Sequence, residues 1–185
     1  IGVALRPHIK THKLPRFALR QIELGAVGIT CQKLGEAEVM ADAGIADIFV
    51  PYNILGAAKL DRLAALNRRV VLSVTADSAV TVAGYAARFS AAAPLSVLVE
   101  CDTGALRCGV QSPEAALALA YRIAAAPGLR FGGLMTYPPR GRPADTERWL
   151  AAAVAQLRHA GLPPPRVSSG NSPDFYQSVA GDTAT

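Results

Sequence analysis

Short apolar runs rich in β-branched residues alternate along the chain with longer amphipathic stretches rich in alanine and leucine. Seven runs have the composition of buried strands: residues 2–5, 26–31, 47–52, 69–75, 95–101, 131–137 and 166–169. The stretches between them predict six helices: residues 15–24, 34–43, 54–66, 77–91, 112–126 and 144–160. Strands that alternate with helices predict a parallel sheet, wound as a barrel or as a doubly wound sheet.

Capping residues support several of these helices. Asp77 and Ser78 precede the fourth helix, and 112–114 (Ser-Pro-Glu) has the order of an N-cap, a first-turn proline and an acidic residue before the fifth. Gly25, Gly44 and Gly161 follow predicted helix ends, where a left-handed residue is favoured. No change in composition divides the chain, so we expect a single domain over residues 1–185.

Composition narrows the class of protein. Of 185 residues, 51% are apolar and 18% are charged, which argues against disorder. The net charge of +5 is mild and the aromatic residues form no stacking platform, so we expect no nucleic-acid partner. No apolar run approaches the roughly 18 residues of a membrane span, and we expect no membrane association. Three cysteines without CxxC spacing fit a reducing, cytoplasmic compartment, with Cys31 and Cys108 as small buried residues rather than nucleophiles.

In parallel α/β folds the functional groups lie in the loops that follow the carboxyl ends of the strands. Polar and titratable residues are concentrated in these loops, at residues 6–13, 31–38, 51–53, 100–110, 136–142 and 168–173. The loops at the opposite ends carry mostly glycine, proline and isolated charges. The sequence therefore predicts one functional rim.

The segment RPHIKTHK, residues 6–13, follows the first predicted strand. Lys10 stands there among other cations, which favours the neutral amine that forms a Schiff base with an aldehyde; a solvated loop lysine is the alternative. His8 and His12 have the spacing of two zinc ligands on a helix, but Pro7 argues against a helix and no third ligand stands nearby. We therefore predict no metal site in this segment.

Three further signals lie on the same rim. The loop SSGNSPD, residues 168–174, has the small residues of a phosphate-binding loop, or of a turn that caps a short helix. Asp102 and Arg107 could orient a ligand, or could pair with each other. Tyr137 ends the sixth predicted strand and on its own is uninformative.

Together these segments resemble a known family. RPHIKTHK followed by GAVGITCQKLGEAEVMADAGIADIFV is similar to the D-threonine aldolase and D-serine dehydratase group of fold-type III pyridoxal-phosphate enzymes, whose barrel is of the alanine racemase N-terminal type. DTGALRCGV is similar to the D-x-G-x-x-R-x-G-V segment of that family, and GLMTY and VSSGNSPDF fall where its later strands lie. The resemblance runs in order from about residue 3 to 175.

The resemblance implies a pyridoxal 5'-phosphate cofactor and assigns residues to it. Lys10 matches the lysine that holds the cofactor as a Schiff base and acts as the catalytic base on its own face. The remaining cofactor contacts implied are Arg6 and His8 beneath the cofactor, Gln32 and Arg107 near its ring, Tyr137 by the pyridine nitrogen, and Ser169, Gly170 and Asn171 at the phosphate.

The implied reaction is a lyase reaction on D-β-hydroxy amino acids, with retro-aldol cleavage to glycine and an aldehyde. The alternatives are a D-serine dehydratase or an amino-acid racemase of the same fold, since the orientation of the bonds at the α-carbon selects the reaction. A non-catalytic pyridoxal-phosphate carrier, or a phosphate-binding barrel without this chemistry, also stays open. The implied partners are a small amino-acid substrate and a second copy of the chain in a homodimer.

This chain departs from the family pattern in two respects. The family has a histidine shortly after the tyrosine of the sixth strand, whereas residues 137–140 here read Tyr-Pro-Pro-Arg, so the base for the β-hydroxyl group is not identified. The family also binds a divalent metal through a C-terminal β domain that this sequence does not include. We therefore expect an incomplete (β/α)8 barrel that lacks the eighth strand and holds no metal ligands of its own.

Overall fold

The computed structural model describes residues 2–174, which form one open parallel sheet covered by helices. The six strands are β1 (Ile29–Thr30), β2 (Asp47–Val50), β3 (Val71–Ala76), β4 (Leu95–Cys101), β5 (Leu129–Thr136) and β6 (Val167–Ser169). The six α-helices are α1 (Pro15–Glu23), α2 (Leu34–Asp42), α3 (Ala57–Asn67), α4 (Ala79–Arg88), α5 (Pro113–Ala125) and α6 (Pro143–His159). A single 3-10 turn, Ile9–Thr11, precedes α1 in the described part of the chain.

The strand order decides between the two predicted architectures. The strands lie in the order β1-β2-β3-β4-β5-β6, and every neighbouring pair is parallel. Because right-handed crossovers that always step in one direction place all their helices on one face, this order is that of a barrel. The six described strands make a curled half-barrel.

The first predicted strand, residues 2–5, is not a strand in the structure. The chain from Leu5 onward runs beside β1: the Leu5 carbonyl accepts from the Val27 amide, and the Pro7 carbonyl accepts from the Thr30 amide. A single parallel bridge joins His8 to Thr30. Because β1 has only two residues, no continuous ladder forms beside it. The prediction of a strand at residues 2–5 was therefore wrong for lack of a partner strand, although the segment is apolar.

The two faces of the sheet differ in chemistry. Residues that face the helices belong to one apolar cluster, which includes Ile48, Val50, Leu72, Val74, Ala76, Val97, Val99 and Cys101. Their neighbours in the strands are buried on the opposite, inner face, and include Phe49, Ser73, Thr75, Leu98 and Glu100. The inner face thus carries polar groups within runs that read as apolar in the sequence.

A β-bulge bends the sheet between β4 and β5. Val97 pairs with Phe131 and Leu98 pairs with Gly133, so Gly132 is the extra residue. Gly133 has a φ of +112°. A Cβ atom there would overlap the carbonyl oxygen of Arg166, which accepts the Leu134 amide at the start of the β5–β6 pairing. The two glycines therefore permit both the bend and the close approach of the next strand.

Most of the predicted caps are present. The Ser78 and Ser112 side chains cap α4 and α5 by accepting from the amides three residues later, at 3.3 and 3.2 Å. The glycines that follow α1, α2 and α6 have φ values of +100°, +94° and +71°. Asp77 does not cap α4; its carboxylate accepts instead from the backbone amide of Gly109, at 3.3 Å. This residue belongs to the rim, and the sequence did not indicate so.

Candidate active site at the carboxyl ends of the strands

Lys10 precedes β1 in the sequence but lies beside its carboxyl end in space, because His8 bridges to Thr30 and the 3-10 turn that holds Lys10 follows His8. The backbone amide of Lys10 donates to Nδ1 of His8 at 3.2 Å. Burial and the nearby Lys10 lower the pKa of His8 from its usual 6.5 to about 4, so the imidazole is neutral at pH 7. A neutral His8 thus holds the backbone of Lys10 without adding another positive charge.

Two cations meet the ring of Tyr137, which follows β5. Lys10 Nζ lies 6.0 Å from the ring centroid, and Arg107 Cζ lies 5.1 Å from it. Both distances are in the range of cation–π contacts. Arg107 Nη2 also donates to Tyr52 Oη, after β2, at 3.4 Å. The structure therefore brings Lys10, Arg107 and Tyr137 together from three separate parts of the chain.

Asp102 does not pair with Arg107, although pairing was one of the two interpretations of this segment. Its Oδ1 atom accepts from the amides of Gly104 and Leu106, at 2.9 and 3.1 Å. Burial opposes ionisation of Asp102, but these hydrogen bonds outweigh burial and its pKa lies below the usual value. The carboxylate therefore shapes the loop between β4 and α5.

Glu100 is a rim residue that the sequence analysis included in the loop of residues 100–110 but gave no role. It lies on the inner face of β4 with 5% of its surface exposed, and Thr75 Oγ1 and Cys108 Sγ donate to its two oxygens at 3.1 and 3.0 Å. Burial raises the pKa of Glu100. The available signal was an acidic residue within an otherwise apolar strand, LSVLVEC.

The cysteines behave differently from one another. Cys31 is buried in the core as expected, whereas Cys108 is exposed, which corrects the expectation that both are buried. The Cys108 thiol turns to Glu100 and donates to it, and the partial desolvation of the sulfur there, together with that carboxyl, raises the pKa of the thiol to about 12. Since the thiolate is the reactive form, Cys108 is a poor nucleophile despite its exposure.

A cavity of about 310 Å³ opens beside Tyr137. It lies between the loops that follow β4, β5 and β6, and its lining includes Gly104, Ala105, Pro138, Pro139, Arg140, Asn171 and Pro173. The Asn171 side chain is buried and holds this rim together, since Nδ2 donates to the Pro138 carbonyl at 3.2 Å and Oδ1 accepts the Asp174 amide at 2.8 Å. Ser169 and Gly170 are exposed at the end of β6, in the same group of loops.

Two of the predicted cofactor-binding residues, Gln32 and Arg6, make no side-chain hydrogen bond with Lys10, Arg107 or Tyr137 in the described residues. The backbone amide of Gln32 donates to Glu36 Oε2 at 2.9 Å, at the start of α2 and on the expected rim. Arg6 pairs with Asp47 at 2.8 Å. Asp47 is the first residue of β2, so the guanidinium of Arg6 lies at the amino ends of the strands. The structure does not bring Arg6 to the other predicted residues.

Residues 2–174 contain no group of three or more histidine, cysteine or acidic side chains that could hold a metal ion. Nδ1 of His8 and Nδ1 of His12 each accept a backbone amide, from Lys10 and Leu14, at 3.2 and 3.1 Å. The two imidazoles therefore serve the local backbone. No helix within the described range is long and apolar enough to cross a membrane.

The fold and the site define a class of protein: a parallel α/β barrel with a lysine and an arginine on one tyrosine at the carboxyl rim. The alanine racemase N-terminal domain family matches residues 2–184, and the chain belongs to that family.

Individual relatives agree with this assignment. A D-threonine aldolase of Arthrobacter sp is 40% identical over 182 residues, which cover 92% of this chain and 48% of that protein. A 3-hydroxy-D-aspartate aldolase of Paracoccus denitrificans is 36% identical over 189 residues, covering 95% and 49%. The crystal structure of D-threonine aldolase from Filomicrobium marinum has a TM-score of 0.89 at 37% identity, covering 95% of this chain and 51% of that one. The chain thus spans about half the length of these relatives.

Proposed function

We propose that the chain is the pyridoxal-phosphate barrel domain, over residues 1–185, of a lyase that cleaves D-β-hydroxy amino acids to glycine and an aldehyde. The observation that carries the proposal is the position of the Lys10 amine, which faces Tyr137 together with Arg107 at the carboxyl rim. The names of the aligned relatives, D-threonine aldolase and 3-hydroxy-D-aspartate aldolase, support the same reaction class.

The residues of the rim fit the cofactor. Lys13 is paired with Glu36 at 3.2 Å, whereas Lys10, three residues earlier, makes no ion pair in the described part of the chain. An exposed amine without a carboxylate partner suits covalent attachment to an aldehyde. Arg107 and Arg140 add positive charge beside the cavity, as an anionic cofactor requires. Gly170, at φ +149°, has open space around its missing side chain, which lets a phosphate approach the loop that we assign to Ser169, Gly170 and Asn171.

The cofactor, when bound, supplies an electron sink for the bond that breaks at the α-carbon of the substrate. Lys10 provides the attachment point and holds or releases a proton at Nζ on its own face. The neutral His8 fixes the Lys10 backbone, and Arg107 orients negative charge near the ring. Gln32 and Tyr137 line the ring in this proposal. For Arg6 we retain only the resemblance, since its pairing with Asp47 gives it no contact with this rim.

The proposal extends to the assembly and its setting. We infer a homodimer and an amino-acid substrate from the family resemblance, and a cytoplasmic location from the three free cysteines. We also propose, from the family resemblance, that any divalent metal is bound by a C-terminal domain of the complete protein.

Absorbance spectroscopy tests the cofactor assignment on the protein expressed from its whole gene. Addition of pyridoxal phosphate should give a visible band that borohydride removes, and peptide mass spectrometry should then find the modification on Lys10. Lys10→Ala should lack the band, and the matched control Lys13→Ala, which removes a lysine of the same segment, should keep it. A modification on another lysine, or a band that survives in Lys10→Ala, would contradict the proposal.

Product analysis tests the reaction. With D-threonine or 3-hydroxy-D-aspartate we expect glycine and an aldehyde in equal amounts. A 2-oxo acid and ammonia would identify a dehydratase, inverted substrate a racemase, and unchanged substrate with bound cofactor a carrier protein.

A further inference from the structure

We propose that Asp102 is a positioning residue, which acts on the site by holding the loop that presents Arg107. The inference rests on the proposed function, because it assumes that Arg107 faces the cofactor. It concerns the loop of residues 102–110, which leaves β4, carries Arg107 over Tyr137 and returns to β4.

The loop is anchored at both ends by backbone hydrogen bonds. The Val110 amide donates to the Glu100 carbonyl at 2.8 Å, and the Asp102 amide donates to the Val110 carbonyl at 3.0 Å. Gly109 permits this return, since its φ is +116° and a Cβ atom there would lie 2.5 Å from the Asp102 nitrogen. The carboxylate of Asp77, the residue that follows β3, accepts from the Gly109 amide and adds a contact from a second strand end. The ends of the loop are therefore tied independently of the Asp102 side chain.

The middle of the loop depends on Asp102. Leu106 has a φ of +53°, a conformation that is unfavourable for a residue with a branched side chain. Its side chain is 86% exposed, so packing does not hold it there. The Leu106 amide donates to Asp102 Oδ1, which also accepts from Gly104. This carboxylate oxygen is therefore what holds the turn immediately before Arg107.

The Asp102 carboxylate is buried, and both of its oxygens are engaged within the loop. The residue is 7% exposed, Oδ1 accepts two amides, and Gln111 Nε2 donates to Oδ2 at 3.3 Å. Arg107, the next residue after Leu106, reaches Tyr52 and the Tyr137 ring. A release of the turn would displace the guanidinium while the loop ends stayed in place. The geometry thus assigns Asp102 an effect on the cofactor through Arg107 alone.

A double-mutant cycle on the protein expressed from its whole gene tests this assignment. The affinity for pyridoxal phosphate is measured by absorbance titration in wild type, Asp102→Ala, Arg107→Ala and the double variant. We expect each single variant to weaken binding about tenfold or more, because a charged hydrogen-bonding group is lost or displaced. The double variant should bind no more weakly than Arg107→Ala. Losses that multiply in the double variant would overturn the proposal, as would wild-type affinity in Asp102→Ala.

Two further variants separate positioning from loss of fold. Asp102→Asn keeps an oxygen acceptor for the two amides, so it should restore most of the affinity. Gln111→Ala removes the contact at Oδ2 and a hydrogen bond to the Gly109 carbonyl at 2.9 Å, but neither of the two bonds at Oδ1 that hold the turn, so it should bind as wild type does. If Asp102→Asn binds as weakly as Asp102→Ala, the carboxylate charge matters rather than the turn, and the positioning role is wrong.

Hydrogen exchange gives a readout that does not need the cofactor. Without pyridoxal phosphate, the amides of Gly104 and Leu106 should exchange faster in Asp102→Ala than in wild type, while Val110 should stay protected. Unchanged exchange at Gly104 and Leu106 would overturn the proposed hold on the turn. Failure of wild type to bind pyridoxal phosphate at all, with this exchange pattern present, would instead overturn the proposed function.

Discussion

Tyr85 offers a sharp test of how the rim is built. This residue of α4 is fully buried, and its hydroxyl group reaches the carboxyl ends of two strands. Tyr85 Oη accepts from the Ile54 amide at 2.9 Å and donates to the Thr75 carbonyl at 3.1 Å. The Tyr85 hydroxyl group therefore links the segment after β2, which contains Tyr52, to the carboxyl end of β3 at Thr75. Replacement by phenylalanine removes these bonds and keeps the packing of the ring.

The structure sets the size of the expected effect. The Ile54 amide has Tyr85 Oη as its acceptor and no other in the described residues, and Ile54 is buried. An unpaired buried donor costs about 1–3 kcal/mol, so we expect Tyr85→Phe to lower the free energy of unfolding by about 2 kcal/mol. For a chain of this length, a loss of that size lowers Tm by roughly 4–8 °C.

Urea unfolding followed by circular dichroism measures the change, with Tyr121→Phe as the matched control. Tyr121 Oη donates to the Ala160 carbonyl at 3.1 Å, but the residue is exposed and water can replace the bond. The control should change stability by no more than about 0.5 kcal/mol. Equal losses in the two variants, or wild-type stability in Tyr85→Phe, would refute the reasoning about the buried amide.

Two other predictions concern stability. Gly84 lies inside α4, and a Cβ atom there would meet only Leu60 Cδ1, at 3.9 Å. Gly84→Ala should therefore stabilise the fold by about 0.5–1 kcal/mol and raise the urea midpoint, and a lower midpoint would contradict this expectation. The pKa of His8 is about 4 in the fold against its ordinary 6.5, so between these values the unfolded chain binds a proton that the folded chain does not. Stability should therefore fall as pH decreases from about 6.5 to about 4, and His8→Asn, which keeps an acceptor for the Lys10 amide, should flatten that part of the profile; identical profiles would argue against a buried neutral His8.

The element pattern was predictable because each element is encoded locally. All six helices and six of the seven predicted strands occur, since amphipathic and β-branched runs dictate them over short distances. The remaining predicted strand, residues 2–5, does not form because a strand needs a partner to pair with, and the two-residue β1 offers almost no pairing. The choice of a barrel over a doubly wound sheet required the strand order, which local pattern does not contain.

The candidate site was predictable only in part. Lys10, Arg107 and Tyr137 were assigned by resemblance, and the structure brings them together at one ring. Arg6 belongs to the same basic segment as Lys10 but turns to Asp47 at the other end of the strands, because side chains along an extended segment need not share one rim. Glu100 was given no role, since a single acidic residue in an apolar strand does not reveal which face it occupies.

By itself the sequence determined the alternation of elements, the helix caps at Ser78 and Ser112, and the concentration of polar residues in the loops after the strands. These features depend on residues close together in the chain. Only the tertiary structure decided that Asp102 binds the backbone rather than Arg107, and that Tyr137 receives two cations. The Asp102 bonds stay within one loop, but the sequence pattern did not decide between the backbone and Arg107 as the partner. The contacts of Tyr137 join loops separated by tens of residues, and the curl of the parallel sheet is what brings those loops within reach of one another.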